Sequence, residues 1–306
     1  MKNSIDIVIN VLNGEDFIQA CLLRLLDLID KSSNKDISII IYNNKSIDKT
    51  RERILAFKEN YSTHLIQYVE SEKTMTLGQA RNEALKYCKG DWVLFHDVDD
   101  QLGDNFFNVF KEAISLTKRD DCSLIFTDVI KSSDFTPPLA SPSEFAKRGL
   151  QTGITDLSNN KSWVFFADFF PVPISTIINR KYLKGECVFD PRMAQAEDFD
   201  IACKLIVKNS KALFFGKIKA KYLIHENNLT KAQWLEGFTE SLSIIKNLPN
   251  RWHSKAKIYQ FWQMNHILYS IKMNFKLNKT ASIFRALFFV LSQRLLKLNK
   301  LFWRKF

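Results

Sequence analysis

The sequence predicts an α/β protein built on a doubly wound, mainly parallel sheet. Strand-like apolar segments alternate with amphipathic helical segments through most of the chain, a pattern typical of parallel strands joined by crossover helices. The 306 residues are 46% hydrophobic, which is enough for a large core and excludes a disordered or linker-like chain. An acidic segment directly follows one strand, and ligands bind at the carboxyl ends of strands in such sheets.

The first part of the chain alternates regularly. β-branched apolar runs predict strands, and apolar stripes with helical spacing predict the helices between them. The predicted strands are 5–11, 37–42, 64–69 and 93–95, and the predicted helices are 17–29, 49–60 and 78–89. Asn13 is expected to cap the first helix, and Gly90 is expected to end the third in a left-handed conformation.

The later part of the chain continues the pattern less regularly. We predict helices at 106–116 and 197–208 and strands at 122–129, 175–179 and 212–224. Residues 132–160 are rich in Ser, Pro, Thr and Asn and are long for a plain connection, so they are a candidate functional loop. Beyond Thr230 the pattern becomes helical and basic. We therefore expect an α/β domain over residues 1–230 and a C-terminal helical extension over 231–306.

The excess positive charge of the chain is concentrated in its C-terminal 61 residues, 246–306. The formal net charge is +11, and residues 246–306 hold 13 of the 44 basic residues and no acidic residue. Residues 1–245 therefore hold 31 basic and 33 acidic residues, a net charge of −2. The five cysteines are scattered without C-x-x-C spacing, which predicts reduced thiols in the cytoplasm and no zinc site or disulfide framework.

Asp97 and Asp99 follow the predicted strand at 93–95. In an extended segment, residues i and i+2 point to the same side, so both carboxylates could bind one hard divalent cation that also holds phosphate oxygens. The alternative is an acidic turn in which Asp99 or Asp100 caps the helix at 106–116.

Two further features could carry chemistry. Glu197 and Asp198 open a predicted helix, where one carboxylate is a candidate general base or, alternatively, an ordinary acidic residue at a helix N-terminus. His225 could ligate a metal or bind a phosphate, or it could be an ordinary surface or packed histidine. The P-loop, Rossmann dinucleotide and nucleophile-elbow motifs are absent from the sequence.

Together, the order and spacing of several segments resemble the family 2 glycosyltransferases, which have the GT-A fold, over roughly residues 4–230. The segments are INVLNGE at 9–15, NNKSID at 43–48, ARNEA at 80–84, GDWVLFHDVDD at 90–100, the pair at 197–198, and Tyr222, His225 and Thr230. The segment at 90–100 is the most specific, because it matches the family pattern G-D-[WY]-[VI]-x-F-x-D-x-D-D.

The resemblance implies a role for each residue. The nucleotide sugar would be bound by Val11, Asn13, Asn43, Asn44, Arg81, Asp97 and Glu197. Mn2+ or Mg2+ bridging the diphosphate would be bound by Asp97, Asp99 and His225, and it would stabilise the leaving group. Asp198 would be the catalytic base that deprotonates the acceptor hydroxyl, and direct displacement would invert the anomeric configuration.

The sequence departs from the family pattern at several positions. Asn43 and Asn44 stand where an acidic pair is usual, and an amide can still bind uracil or ribose because it both donates and accepts hydrogen bonds. Arg251 and Trp252 match the end of the Q-x-x-R-W motif of processive family members, but Leu248 occupies its glutamine position. No apolar run approaches the ~20 residues that a membrane-spanning helix needs. These departures favour addition of a single sugar.

The pattern of residues 281–306 predicts an amphipathic helix that lies on an anionic membrane surface. Its apolar residues fall mainly on one arc, and it carries basic residues and no acidic residue. The alternative is a helical pair that completes the core or forms an oligomer interface. Nucleic acid is the less favoured partner, because the apolar arc is too continuous.

The sequence therefore predicts an inverting, metal-dependent enzyme that transfers one sugar from a UDP-sugar to a lipid-linked, lipopolysaccharide or capsular glycan acceptor. It would act as a peripheral protein at the cytoplasmic face of the bacterial inner membrane. The alternative is a non-catalytic membrane- or nucleic-acid-binding protein on a degenerate GT-A scaffold. The intact Asp97, Asp99, Asp198 and His225 argue against degeneracy.

Overall fold

The computed structural model describes residues 4–61, 64–117, 121–132, 151–156, 176–185, 188–209, 211–223 and 234–248. The strands are β1 Ile5–Val11, β2 Ile37–Asn43, β3 Ile66–Glu70, β4 Trp92–Phe95, β5 Gln101–Leu102, β6 Leu124–Ser132, β7 Gly153–Asp156, β8 Thr176–Asn179 and β9 Lys211–Leu223. The helices are α1 Ile18–Asp30, α2 Thr50–Tyr61, α3 Leu77–Leu85, α4 Phe106–Thr117, α5 Glu197–Lys208 and α6 Trp234–Asn247.

The described strands form one sheet in the order β3-β2-β1-β4-β8-β6-β9-β5, and β7 pairs with β9 outside this path. Strands β1 to β4 run parallel to one another. Strand β8 runs antiparallel to both β4 and β6, and β5 and β7 run antiparallel to β9. The predicted α/β class with a mainly parallel sheet is confirmed, and the mixed half of the sheet is an addition that periodicity did not predict.

Helices cover both faces of the sheet. Side chains alternate along β1, so Ile7 and Ile9 join the core cluster that includes α1, α2 and α4. Val8 joins the opposite cluster, which includes α3, α5 and α6. The sheet is therefore the middle of three layers, and each of its faces buries an apolar core.

Asn13 does not cap the first helix, contrary to our expectation. Helix α1 begins at Ile18, after a turn in which the Gly14 carbonyl accepts hydrogen bonds from the N–H groups of Phe17 and Ile18. Asn13 has a φ of 54° and turns toward the loop after β2, where its Oδ1 accepts a hydrogen bond from the Ile47 N–H at 2.9 Å. The backbone N–H of Asn13 donates to Ser46 Oγ at 2.9 Å. Asn13 thus links two loops.

Gly90 is also not the helix cap that we predicted. Helix α3 ends at Leu85, and Gly90 is not among the residues with positive φ. Its N–H donates to Asp6 Oδ2, and a Cβ at this position would lie 3.0 Å from Asp6 Cγ. The glycine is needed here for close approach to the Asp6 carboxylate rather than for a left-handed conformation.

Part of the predicted loop at 132–160 is a strand. Strand β7 pairs antiparallel with β9, with Ile154 opposite Leu213. The pairing is non-local, so the Ser- and Thr-rich composition of the segment carried no signal for it. The two-residue strand β5, which pairs with Lys221 and Ala220 of β9, was missed for the same reason.

The predicted C-terminal extension begins with a helix that packs on the α/β core. Ile244, Ile245 and Leu248 are buried in the cluster that also contains residues of α5. The domain boundary after residue 230 stays a prediction. The predicted membrane helix at 281–306 lies outside the described residues. Within the described part of the chain, no helix is long and apolar enough to cross a membrane.

Candidate active site

Several of the predicted binding residues lie where parallel strands end. Val11 at the end of β1 is paired with Asn43 at the end of β2, and Val8 of β1 is paired with Phe95 at the end of β4. Because the carboxyl ends of parallel strands meet at one edge of a sheet, the segments that follow these strands are brought together. The sheet therefore places the predicted nucleotide residues and the acidic segment side by side.

The loops after β1 and β2 are fastened to each other. The Gly14 N–H donates to Thr50 Oγ1 at 2.8 Å, and the Glu15 N–H donates to Asp48 Oδ2 at 3.0 Å. Val11 is 1% exposed, and its carbonyl accepts a hydrogen bond from the Asn44 N–H at 2.8 Å, so its contact with a nucleotide stays a prediction. These bonds give the candidate nucleotide edge a fixed shape.

Asn43 and Asn44 hold the turns around the end of β2. Asn43 accepts a hydrogen bond from the Ser46 N–H at 3.0 Å and donates to the Tyr68 hydroxyl at 3.1 Å. Asn44 donates to the Met75 carbonyl at 2.8 Å and accepts from the Met75 N–H at 3.0 Å. Each amide therefore uses one donor and one acceptor site within the protein, and the two residues are 0% and 5% exposed. Their role in donor binding stays a prediction.

Asp97 to Asp100 form a turn, so our expectation of an extended segment is wrong. The Asp100 N–H donates to the Asp97 carbonyl at 3.1 Å. The Asp100 carboxylate does not cap α4. It accepts a hydrogen bond from the Leu223 N–H at 3.0 Å and so ties the acidic turn to the end of β9.

The turn concentrates negative charge. Burial raises the pKa of Asp100 well above its ordinary value, and the Asp97 and Asp99 charges raise it further. Burial, with the Asp99 and Glu197 charges, also raises the pKa of Asp97 to about 6, although Arg81 opposes the rise. The Asp97 side chain is still 35% exposed, so it remains accessible to a ligand. Carboxylates that repel one another in this way favour the binding of a cation.

Arg81 connects the acidic turn to the start of α5. Its Nη1 lies 2.6 Å from Glu197 Oε1, and both side chains are almost completely buried. Its Nη2 lies 3.6 Å from Asp97 Oδ1. The guanidinium carbon lies 5.3 Å from the centre of the Phe95 ring and 5.7 Å from that of Phe189, within range of cation–π attraction. The predicted contacts of Arg81 and Glu197 with the substrate stay predictions.

Helix α3 also holds the loop that leads to α5, a contact that our sequence analysis missed. Asn82 donates to the Phe189 carbonyl at 2.8 Å and accepts from its N–H at 2.9 Å. Thr76 donates to the Pro191 carbonyl at 2.8 Å. The available signal was the A-R-N motif itself, in which the arginine reaches α5 and the asparagine reaches the preceding loop.

Asp198 lies in the first turn of α5, at the wall of a small, mainly apolar pocket. Its Oδ1 accepts a hydrogen bond from the Phe199 N–H at 2.6 Å. Burial raises its pKa well above the ordinary value, and the Glu197 and Asp97 charges add to the rise against Arg81. Arg81, Phe95 and Phe189 are among the other residues that line the pocket. A carboxylate with a raised pKa in a pocket is suited to proton transfer.

Of the three residues predicted to bind a metal, the structure describes Asp97 and Asp99. The described ranges contain no group of three or more histidine, cysteine, aspartate or glutamate side chains that could hold a metal ion. Asp97 and Asp99 are close enough to raise the pKa of Asp97, and two carboxylates suit the oxygen-ligand preference of Mg2+ and Mn2+. The third predicted ligand, His225, lies outside the described residues, two positions after the anchored Leu223.

Comparison with known families is decisive for the class. The model of the family described as "Glycosyl transferase family 2" matches residues 6–184, more than half of the chain. The chain belongs to glycosyl transferase family 2. Our predictions of this family and of a glycosyltransferase are confirmed.

Curated proteins similar to this family 2 chain are bacterial glycosyltransferases. The chain is 24% identical to the amylovoran biosynthesis glycosyltransferase AmsB of Erwinia amylovora over 224 aligned residues. The alignment covers 72% of this chain and 69% of AmsB. The chain is 33% identical to a poly(ribitol-phosphate) beta-glucosyltransferase of Bacillus spizizenii over 115 aligned residues. This alignment covers 35% of this chain and 17% of that protein. The chain thus spans only a small part of the Bacillus protein.

Solved structures show the same fold. The chain superposes on residues 1–349 of S. aureus TarS with a TM-score of 0.64 and 17–18% identity, over 91% of this chain and 76% of that one. TarS has been solved alone and with UDP and UDP-GlcNAc. It superposes on the mannosyltransferase PcManGT of Pyrobaculum calidifontis, solved with GDP-Man and Mn2+, with a TM-score of 0.62 and 12% identity over 96% and 81% of the two chains. The GT-A fold that we predicted is confirmed.

Proposed function

We propose that this chain transfers a single sugar from a nucleotide-diphosphate sugar to a hydroxyl group of a glycan acceptor, with inversion at the anomeric carbon. One observation carries the proposal. Arg81 lines the same pocket as Asp198 and its Nη2 lies 3.6 Å from Asp97 Oδ1, so the candidate base and the acidic turn are close to each other. An acceptor between them would meet a proton acceptor on one side and a diphosphate site on the other.

The chemistry assigns a separate task to each group. Asp198 takes the proton of the acceptor hydroxyl while the acceptor oxygen bonds to the anomeric carbon. The bond from the anomeric carbon to the diphosphate breaks, and the nucleoside diphosphate leaves with the electron pair. Asp97 and Asp99 would hold Mn2+ or Mg2+, with His225 as a further predicted ligand. The bound cation would act as a Lewis acid on the leaving diphosphate.

The donor that we propose is a UDP-sugar. TarS has been solved with UDP and UDP-GlcNAc, and this supports a uridine nucleotide, whereas PcManGT has been solved with GDP-Man. Asn43 and Asn44 lie at the end of β2, at the candidate nucleotide edge, and an amide both donates and accepts hydrogen bonds, as uracil requires of its partner.

The acceptor that we propose is a lipid-linked, lipopolysaccharide or capsular glycan. The name of AmsB refers to amylovoran biosynthesis, and the name of the Bacillus relative refers to poly(ribitol-phosphate), which supports an acceptor of this class. The basic, amphipathic sequence at 281–306 would hold the enzyme at the cytoplasmic face of the inner membrane. Flotation with anionic vesicles tests this part: the full chain should float at low salt, and equal flotation of a chain ending at residue 280 contradicts it.

The experiment that tests the proposed donor is a thermal-shift screen of UDP- and GDP-sugars with and without Mn2+. A cognate donor at 100 times its dissociation constant should stabilise the folded chain by about 2.7 kcal/mol, and Mn2+ should increase the shift. The Asp99→Asn variant should lose the increase. If no UDP- or GDP-sugar shifts the melting temperature, the proposed donor is contradicted.

A further inference from the structure

Glu240 of α6 accepts hydrogen bonds from three successive backbone N–H groups immediately N-terminal to α5. Its Oε1 accepts a hydrogen bond from Ala194 at 2.8 Å, and its Oε2 accepts from Gln195 at 3.0 Å and from Ala196 at 2.9 Å. Ala196 is the cap position of α5 and offers no side-chain hydrogen bond of its own. Consecutive N–H groups around one carboxylate form a charge-assisted cradle, which is stronger than neutral hydrogen bonds.

The packing of α6 makes this contact close. Gly237 lies one helical turn before Glu240, and a Cβ at Gly237 would come within 3.4 Å of Gln195 Cβ. Ile244 and Ile245, further along the helix, are buried in the core shared with α5. The carboxylate is therefore presented by a helix that is itself anchored.

The segment in front of α5 is thus held at two places. Asn82 of α3 binds Phe189 at the start of the segment, and Glu240 binds its end at 194–196. Asn82 lies within the part of the chain that matches the family, residues 6–184, and Glu240 lies outside it. The second attachment precedes Asp198 by only two residues.

We infer that Glu240 is a positioning residue, which sets the place of Asp198 by fixing the backbone on which α5 begins. This inference rests on the proposed function, in which Asp198 is the general base. Glu240 binds backbone groups rather than reacting atoms, so its removal should affect the rate of transfer and leave donor binding intact.

The test is Glu240→Gln in the full chain. The variant keeps the shape of the side chain but turns an amide donor toward backbone N–H groups. We expect faster amide hydrogen exchange at 194–196 and a fall in kcat of about 10- to 100-fold, since small displacements of a catalytic group have effects of this size. The dissociation constant for UDP with Mn2+ should stay the same. The charge-matched control is Glu112→Gln, which removes an exposed partner of Lys217 and should leave kcat unchanged.

A double variant separates positioning from general damage. If Glu240 acts through Asp198, adding Glu240→Gln to Asp198→Asn should change the residual rate very little. An equal fold-loss in both backgrounds, or a wild-type kcat in Glu240→Gln alone, overturns the inference. Glu240→Asp keeps the charge with a shorter reach and should retain more activity than Glu240→Gln; the reverse order also overturns it.

The outcomes distinguish this inference from the proposed function. An active Glu240→Gln enzyme beside an inactive Asp198→Asn enzyme rejects the role of Glu240 alone. A fully active Asp198→Asn enzyme rejects the proposed base, and the inference about Glu240 is rejected with it.

Discussion

Arg81 and Glu197 form a buried ion pair across 116 positions of the sequence, with Nη1 and Oε1 2.6 Å apart. The side chains are 2% and 3% exposed, so neither charge is hydrated. The pair joins α3, which follows the nucleotide edge of the sheet, to α5, which carries the candidate base. It therefore fixes the distance between the two halves of the proposed site.

Breaking this pair should be strongly destabilising. Arg81→Met leaves the Glu197 carboxylate buried without its partner, and we expect the free energy of unfolding to fall by about 3–5 kcal/mol. The double variant Arg81→Met/Glu197→Met should be more stable than the single variant, because no buried charge remains. Urea denaturation measures both. A loss below about 1 kcal/mol in Arg81→Met, typical of exposed pairs, contradicts the account.

A methyl group at Gly78 should disturb the contact between α3 and the loop before α5. A Cβ there would lie 2.7 Å from the Asp190 carbonyl oxygen, closer than backbone atoms allow. We expect Gly78→Ala to lower the free energy of unfolding by about 1–3 kcal/mol, as overpacking does. Gly216→Ala is the control, because its Cβ would meet only Thr152 Oγ1 at 3.5 Å. Equal stability of the two variants, measured by urea denaturation, contradicts the proposed close contact.

Asp99→Asn should weaken metal-dependent nucleotide binding. Loss of a residue that only supports a metal ligand lowers metal affinity by roughly 10- to 100-fold. Asp99 is proposed as a ligand itself, so the affinity for UDP in the presence of Mn2+ should fall by more than this. Affinity in EDTA should stay unchanged, because the nucleoside itself does not contact this carboxylate in our account. Calorimetric titration measures both values. Asp104→Asn, at a side chain that is 79% exposed, is the control, and an equal loss there contradicts the assignment.

The rate of transfer should depend on pH through Asp198. Burial raises the pKa of this carboxyl well above its ordinary value. A general base acts only when ionised, so kcat at saturating donor and Mn2+ should fall as the pH drops through this raised pKa. The acid limb should therefore lie above pH ~4, where an ordinary aspartate titrates. A rate that stays constant down to pH ~4 contradicts the role of Asp198.

Local sequence patterns predicted the elements that depend on nearby residues. Helix α5 has the predicted bounds 197–208, because its apolar stripe and acidic first turn are both local signals. The parallel strands were predicted from their buried, β-branched runs, and their parallel order places the acidic turn at the correct edge of the sheet.

Contacts between distant residues were beyond local patterns. The hydrogen bond from Leu223 to Asp100 spans 123 positions of the sequence, and the hydrogen bonds to Glu240 span about 45. Glu240 belongs to α6, whose sequence resembles that of any amphipathic surface helix. The turn at Asp97 was mistaken for an extended segment because Asp100 is drawn toward β9 by this contact. Asn13 was mistaken for a helix cap because its partner Ile47 belongs to a different loop.

The central claim is that Asp198 removes the proton of the acceptor hydroxyl in sugar transfer, and the most direct test compares wild type with Asp198→Asn. The measurement is the release of nucleoside diphosphate from the donor found in the thermal-shift screen, with Mn2+ and a lipid-linked glycan extract as acceptor. We predict a loss of about 10²- to 10⁴-fold in rate, the usual contribution of general base catalysis, with unchanged affinity for UDP. A variant that binds UDP and transfers sugar at the wild-type rate would contradict the account.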